Sequence, residues 1–159
     1  MEVKHIKLLL YRKTKLEFIG FQDSNVKGGR KMNDIINSVF EKKDAIISKT
    51  RYYQELNTKN APHEHAKEYR KLCDFFDSNF SDDEIMVVQS IMYFGRECYT
   101  GSANDYPGSK YDVIACWMNH LFFSFGKKIN REIEIGQMVE KGLKIYTYFQ
   151  YGFSELERR

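Results

Sequence analysis

Apolar residues recur three and four positions apart along most of the chain, which is the spacing of a helix that buries one face. Capping residues and turn formers between these runs divide the pattern into five segments. The predicted helices span residues 33–56, 62–80, 81–96, 109–125 and 131–151. The pattern therefore predicts an all-α protein, a single compact bundle of about five helices, with a C-terminal tail from residue 154 that frays.

The segment 81–96 is expected to be the central buried helix of this bundle. It begins with Ser81 and Glu84, which have the Ser-x-x-Glu spacing of a capping box. Its apolar residues cover most of the helix circumference, whereas the neighbouring segments carry a single apolar stripe. Because a helix that is apolar nearly all round is buried on several sides, the other helices are predicted to pack around it.

Residues 1–31 differ in kind from the helical domain that is predicted for residues 32–159. Apolar runs on either side of the polar turn at 12–15 favour two short strands, which would form a β-hairpin over residues 5–20. A lone hairpin is marginal in water, so it would have to dock on the helices. An alternative is that residues 1–31 are a non-native extension and that the protein begins at Met32, because Lys27–Lys31 matches what a purine-rich ribosome-binding site would encode.

The net charge of +3 is unevenly distributed. Residues 1–31 contain eight Lys or Arg residues and three acids, whereas the remaining 128 residues contain 17 basic and 19 acidic side chains. The helical domain is therefore not basic, which disfavours a broad nucleic-acid-binding face there. A nucleic-acid-associated protein stays an alternative in which the basic N-terminal segment contacts phosphates. The candidate residues for that role are Lys13, Lys15, Lys27, Arg30 and Lys31.

The three cysteines, Cys73, Cys98 and Cys116, are odd in number and have no CxxC spacing. This usage indicates reduced thiols in a cytoplasmic protein. No apolar run reaches the roughly 18–20 residues that a membrane-spanning helix needs. The start of the chain also lacks the small-residue cleavage site of a signal peptide. We therefore expect a cytoplasmic protein that does not bind a membrane.

Few residues suggest catalysis or metal binding. His63 and His65 are two residues apart, which directs their rings to different faces of a helix and away from a shared metal ion. Cys116 and His120 are four residues apart and could form a thiolate–imidazole pair, although no third group that would orient the histidine is evident. We expect no metal, no cofactor and no catalytic residue, and a cysteine-dependent enzyme is the least favoured alternative.

The end of the central helix and the loop behind it form the candidate functional site. The loop over residues 98–108 is rich in turn formers and longer than most connections in helical bundles, and such loops are often functional. Tyr and Arg are also the residue types that are enriched at binding hot spots. A local salt bridge between Arg96 and Glu97 is the structural alternative. The predicted partner-binding residues are Arg96, Glu97, Tyr99, Asn104, Asp105 and Tyr106.

These features together predict a non-catalytic protein-binding module that docks a macromolecular partner. The abundance of Lys, Asn, Ile and Tyr fits an AT-rich genome, so a small bacterial or phage-borne regulator or inhibitor is expected. The aromatic-rich segments 109–125 and 131–151 carry more apolar surface than one core absorbs. A homodimer is therefore a further expectation.

Residues 84–97, E-I-M-V-V-Q-S-I-M-Y-F-G-R-E, resemble the central helix of a bacterial helical domain family of unknown function. Its members read along the lines of E-L-x-x-L-V-A-L-M-W-x-G-R-G-D, and Met92, Tyr93, Gly95 and Arg96 match four of its positions. Residues 135–143 are similar to a second helix of the family, so the resemblance covers residues 80–143. Glu97 and Cys98 replace the Gly-Asp of the motif, and the loop that follows is longer here. The resemblance implies a compact helical domain and no known activity.

Overall fold

The computed structural model describes residues 31–58, 62–101, 106, 108–122 and 128–159. Regular secondary structure in these residues is entirely α-helical, which confirms the predicted fold class. The seven helices of this described part are α1 (Met32–Glu41), α2 (Lys43–Thr58), α3 (Pro62–Asn79), α4 (Asp82–Tyr99), α5 (Lys110–Phe122), α6 (Arg131–Val139) and α7 (Ile145–Glu157). The predicted hairpin lies outside the described residues.

Two segments that were predicted as single helices are each divided in two. The segment 33–56 is interrupted at Lys42, where φ is −92° and ψ is 3°. The Lys42 side chain turns to Glu84 of α4, with Nζ 2.9 Å from Oε2, and donates to the Asn79 carbonyl at 2.7 Å. The segment 131–151 is interrupted by consecutive turns over residues 140–144. The described part of the chain therefore has seven helices where about five were predicted.

Helix α4 packs against α1, α5, α6 and α7. It begins at the predicted capping box, which the structure confirms: the Ser81 Oγ accepts from the Glu84 N–H, and the Glu84 carboxylate accepts from the Ser81 N–H. The residues from Glu84 to Met92 are an unbroken buried run. The helix then continues to Tyr99, beyond the predicted end at residue 96.

Helices α4 and α7 approach each other closely at a pair of glycines. A Cβ on Gly95 would lie 1.7 Å from the Tyr148 carbonyl oxygen. A Cβ on Gly152 would lie 2.5 Å from the Ile91 carbonyl oxygen. Both distances are far below van der Waals contact, so a side chain at either position would push the helices apart.

The C-terminal tail is ordered against the bundle, so the expectation that it frays is wrong. Helix α7 continues to Glu157, and Leu156 is fully buried. The Arg159 guanidinium donates to the Tyr106 carbonyl oxygen, lies 3.2 Å from Glu155 and covers the Phe94 ring at 5.7 Å. Burial and these polar contacts order the C-terminal residues, which their position at the end of the chain alone would predict to fray.

Candidate functional site

Arg96 lies on the last turns of α4 and covers an aromatic ring. Its guanidinium carbon is 4.8 Å from the centre of the Tyr93 ring, one turn back along the helix. Its ion pair with Glu97 is long, at 3.8 Å between nitrogen and oxygen, and such exposed pairs contribute little to stability. The predicted local salt bridge therefore exists, but the closer contact of Arg96 is with the aromatic ring.

The Tyr93 ring connects two helices and a turn. It stacks on the Trp117 ring of α5 with an interplanar angle of 12° and 6.4 Å between centroids. The Nζ of Lys141, in the turn between α6 and α7, is 5.8 Å from the same Tyr93 ring. Arg96 and Lys141 therefore share one aromatic neighbour, which brings two positive charges to the same part of the surface.

Tyr99, the last residue of α4, is held in place by three side chains while much of its ring stays exposed. Its ring meets the Tyr151 ring edge-on at 5.6 Å and the Tyr148 ring at 6.1 Å between centroids. The Lys144 Nζ donates to the Tyr99 hydroxyl at 3.1 Å and lies 5.0 Å from its ring. The exposed fraction of Tyr99 is nevertheless 43%.

These contacts define two aromatic and basic clusters on the last turns of α4, one around Tyr93 and one around Tyr99, whose solvent-facing side chains we together name the α4-end surface. We include Leu143 because it precedes Lys144 in the turn and is 62% exposed, the largest value among the exposed large hydrophobic side chains of the described residues. Tyr151 of α7 extends the surface and is 45% exposed. The α4-end surface consists of Arg96, Tyr99, Lys141, Leu143, Lys144 and Tyr151.

A groove of about 500 Å³ adjoins the α4-end surface and shares Tyr151 with it. Cys98, Ser154 and Arg158 are among its other lining residues. Burial raises the pKa of the Cys98 thiol to about 12, with a further contribution from the negative charge of Glu155. The thiol is therefore protonated near neutral pH, and the groove is suited to holding a side chain of a partner rather than to attacking one.

The structure describes four of the six predicted partner-binding residues. Arg96, Glu97 and Tyr99 lie together at the end of α4. Tyr106 is half-buried, and its ring packs between Phe94, at 5.9 Å, and Trp117, at 5.6 Å, so its geometry favours a packing role. Asn104 and Asp105 lie outside the described residues, as do Lys13, Lys15, Lys27 and Arg30 of the nucleic-acid alternative. Lys31, the last of that set, is exposed immediately before α1.

Sequence reasoning missed four of the six residues of the α4-end surface. Lys141, Leu143, Lys144 and Tyr151 were assigned to one continuous helix over 131–151, in which the lysines would lie on a solvated face. The turns at 140–144 instead bring Lys141 and Lys144 over the Tyr93 and Tyr99 rings. The only signal for this in the sequence is Gly142, a helix-weakening residue next to an exposed leucine.

The cysteine and histidine side chains that were considered for catalysis or metal binding make packing contacts or hydrogen bonds in the structure. Burial raises the pKa of the Cys116 thiol to about 11, and the His120 ring lies edge-on to Trp117 with 5.7 Å between centroids. The His65 Nε2 is hydrogen-bonded to the Tyr53 hydroxyl at 3.1 Å, which joins α3 to α2. Within the described ranges, no group of three His, Cys, Asp or Glu side chains could hold a metal ion.

Two features bear on the setting in which the protein works. Cys73, Cys98 and Cys116 are all free thiols. Among the helices that the structure describes, none combines the length and the apolar character that a membrane span requires.

Comparisons with protein-family models, with curated proteins and with solved structures return no match. The resemblance of residues 80–143 to a bacterial helical family therefore stays a prediction. Of the four matching positions, Gly95 is explained by the close approach of α4 to α7, and Met92 is fully buried. Arg96 is the one of the four that lies on the α4-end surface.

Proposed function

We propose that the chain is a non-catalytic module that binds a protein partner through the α4-end surface. The observation that carries the proposal is Tyr99, whose ring is exposed although Tyr148, Tyr151 and Lys144 hold it in place. An aromatic side chain that is already ordered loses little conformational entropy when a partner covers it. This is one reason that tyrosine is favoured at binding hot spots.

The neighbours of Tyr99 support the same use of this surface. Leu143 and Tyr151 offer apolar area beside it, and the adjoining groove can receive a side chain of the partner. Arg96, Lys141 and Lys144 supply charged groups around this apolar centre. An apolar centre with a polar rim is the common organisation of a protein–protein interface.

We extend the proposal to a small cytoplasmic regulator or inhibitor of bacterial or phage origin, built as a bundle around α4. The three free cysteines fit a reducing compartment. The raised pKa values of the Cys98 and Cys116 thiols argue against a thiolate nucleophile, which favours binding over cysteine-dependent catalysis. The N-terminal hairpin, the family resemblance and the homodimer remain parts of this proposal.

The test is affinity capture from a lysate of the native host with matched tyrosine variants. Tyr99→Ala removes the centre of the α4-end surface, whereas Tyr52→Ala removes a tyrosine that is 55% exposed on α2. We expect a protein that is retained by the wild type and by Tyr52→Ala and lost by Tyr99→Ala. Both variants should melt within about 2 °C of the wild type, because exposed side chains contribute little to stability.

Two results would contradict the proposal. One is a partner that the Tyr99→Ala variant retains as well as the wild type does, since that partner would bind elsewhere. The other is the recovery of nucleic acid in place of protein, with binding that falls steeply as salt rises, which would favour the alternative that the basic N-terminal segment carries.

A further inference from the structure

We infer that the partner presents an acidic segment, in which Asp or Glu side chains flank an apolar residue, to the α4-end surface. This inference rests on the proposed function, because it names the chemistry of the partner that this surface would bind. The carboxylates would approach Arg96, Lys141 and Lys144, and the apolar residue would pack on Tyr99, Leu143 and Tyr151.

The α4-end surface carries a local excess of positive charge. Arg96, Lys141 and Lys144 lie over or beside the rings of Tyr93 and Tyr99. Among the described residues, no carboxylate forms a salt bridge with Lys141 or Lys144. Glu97 approaches Arg96 at 3.8 Å, so three cations are accompanied by one carboxylate at long range.

Two other acids on neighbouring segments interact with groups outside the α4-end surface. Glu140 adjoins Lys141 in the chain, but its negative charge acts on Tyr69 and Cys73 of α3, where it adds to the effect of burial in raising their pKa values. Glu155 of α7 is paired with Arg158 and Arg159. Among the described residues, neither acid forms a salt bridge with Arg96, Lys141 or Lys144.

Two other occupants, a second copy of the chain and a nucleic acid, match the charge and the apolar area of this surface less well. A second copy placed by a twofold axis would bring the same three cations against themselves, which is unfavourable. The phosphates of a nucleic acid would be attracted to the cations, but the exposed apolar side chain of Leu143 would have no favourable contact with a phosphate backbone. Residues 32–159 also contain more acidic than basic side chains, which disfavours nucleic-acid binding. A protein segment with carboxylates around an apolar residue complements both the charge and the apolar area.

The experiment selects binders from a phage-displayed library of random linear peptides on the immobilised full chain. Selected peptides are then measured by fluorescence anisotropy against the wild type, the double variant Lys141→Glu/Lys144→Glu and the control Lys49→Glu. Lys49 is an exposed lysine on α2. Single-stranded DNA and RNA oligonucleotides are measured in parallel, and circular dichroism confirms that each variant is folded.

We expect the selected peptides to be rich in Asp and Glu next to Leu, Phe or Tyr. Their affinity should fall at least tenfold in the double variant and stay unchanged in Lys49→Glu. It should also weaken when NaCl is raised from about 50 to about 300 mM, because exposed charges are screened. Together these results would establish the acidic class of the partner.

Other outcomes overturn the inference. Neutral or basic peptides, no enrichment at all, or unchanged affinity in the double variant would each show that the charges do not select the partner. Tighter binding of an oligonucleotide at the same residues would assign the surface to nucleic acid. A dimer in sedimentation that the double variant disrupts would assign it to a second copy. Where the charges do not select the peptide, capture of a host protein that depends on Tyr99 would still leave the proposed function intact, whereas oligonucleotide binding at these residues would contradict it as well.

Discussion

Gly95 and Arg96 are neighbours in the chain, but the structure gives them different roles. Gly95 is buried where the backbone of α7 passes α4, and its missing side chain allows that approach. Arg96 points outward over Tyr93 and joins the α4-end surface. A motif that contains both residues therefore combines a packing requirement with a surface residue, and only the second bears on binding.

A glycine pair offers a direct test of the packing role. Gly95→Ala should lower the free energy of unfolding by about 3 kcal/mol, because its Cβ would overlap the Tyr148 carbonyl oxygen. Gly136→Ala in α6 is the matched control, since its Cβ would meet only the Tyr69 hydroxyl at 3.6 Å. That variant should be as stable as the wild type or more stable by up to about 1 kcal/mol. Equal losses in urea denaturation of the two variants would contradict the assignment.

Glu84 is a buried carboxylate that accepts hydrogen bonds from three partners at once. It completes the capping box of α4, and it accepts from Ser38 at 2.6 Å and from Lys42 at 2.9 Å. Burial alone would raise the pKa of Glu84, but the hydrogen bonds from Ser38, the Ser81 N–H and Lys42 lower it below its ordinary value. The ionised form is therefore the one that the folded state favours.

The pH dependence of stability should reveal this carboxylate. Since its pKa is lower in the folded state, Glu84 contributes stability above the unfolded pKa of about 4.3, and the contribution is lost as pH falls through the folded pKa. Glu84→Gln can still accept from the Ser81 N–H but lacks the charge beside Lys42, so we expect a loss of about 1–2 kcal/mol at neutral pH. Urea denaturation should show the difference from wild type shrinking upon acidification. A difference that is constant with pH would refute this role.

At the scale of elements, the apolar patterns correctly predicted where helices occur. The positions at which two predicted helices are interrupted depend on tertiary contacts and were not predicted. The capping residues Ser81 and Glu84 mark the start of α4 because they act within one helical turn. The break at Lys42 could not be predicted, because its partners Glu84 and Asn79 are distant in the chain. The turns over residues 140–144 were missed for the same reason, and with them Lys144 and Leu143 of the candidate site.

Arg131 joins three elements at the junction of α3 and α4. Its guanidinium donates to the Asp77 and Phe80 carbonyl oxygens at 2.8 and 2.7 Å, and it pairs with the carboxylates of Asp77 and Asp82 at 3.0 and 2.6 Å. The side chain thereby satisfies carbonyl groups at the end of α3 that the helix itself leaves without donors. The planar fork of arginine is required for so many contacts.

Replacement of Arg131 should therefore cost more than replacement of an ordinary surface arginine. We expect Arg131→Ala to lower the free energy of unfolding by about 1.5 kcal/mol, with little recovery in Arg131→Lys because one ammonium group cannot reach all four acceptors. Arg158→Ala, which breaks a solvent-exposed pair with Glu155, should leave the stability close to that of the wild type. Thermal and urea denaturation measure both effects, and full rescue by lysine would contradict the fork requirement.

At the scale of the whole molecule, the described chain is a helical scaffold with partly buried, poorly ionised cysteine thiols and with two of its three most exposed aromatic side chains, Tyr99 and Tyr151, in contact near the end of α4. The cysteine thiols have raised pKa values where they are buried. The exposed rings of Tyr99 and Tyr151 are held by neighbours. These are the features on which the proposed binding function rests.

Thiol reactivity tests the absence of a cysteine nucleophile. With pKa values of about 12 and about 11, Cys98 and Cys116 should react with iodoacetamide more slowly than a free thiol near pH 7.5, by roughly tenfold or more. Mass spectrometry of tryptic peptides gives the rate for each cysteine, and the urea-unfolded chain provides the control in which all three react rapidly. A fast, pH-dependent reaction of Cys116 in the folded protein would revive the enzyme alternative.

The most direct test of the α4-end surface is photo-crosslinking in the native host. A benzophenone amino acid is placed at Leu143, which is 62% exposed, or at Ile133 of α6, which is 53% exposed and lies outside the surface. We expect a discrete crosslinked adduct of the Leu143 variant with one protein after irradiation, and no such adduct of the Ile133 variant. Equal adducts at both positions, or none at Leu143, would contradict the claim that this surface binds the partner.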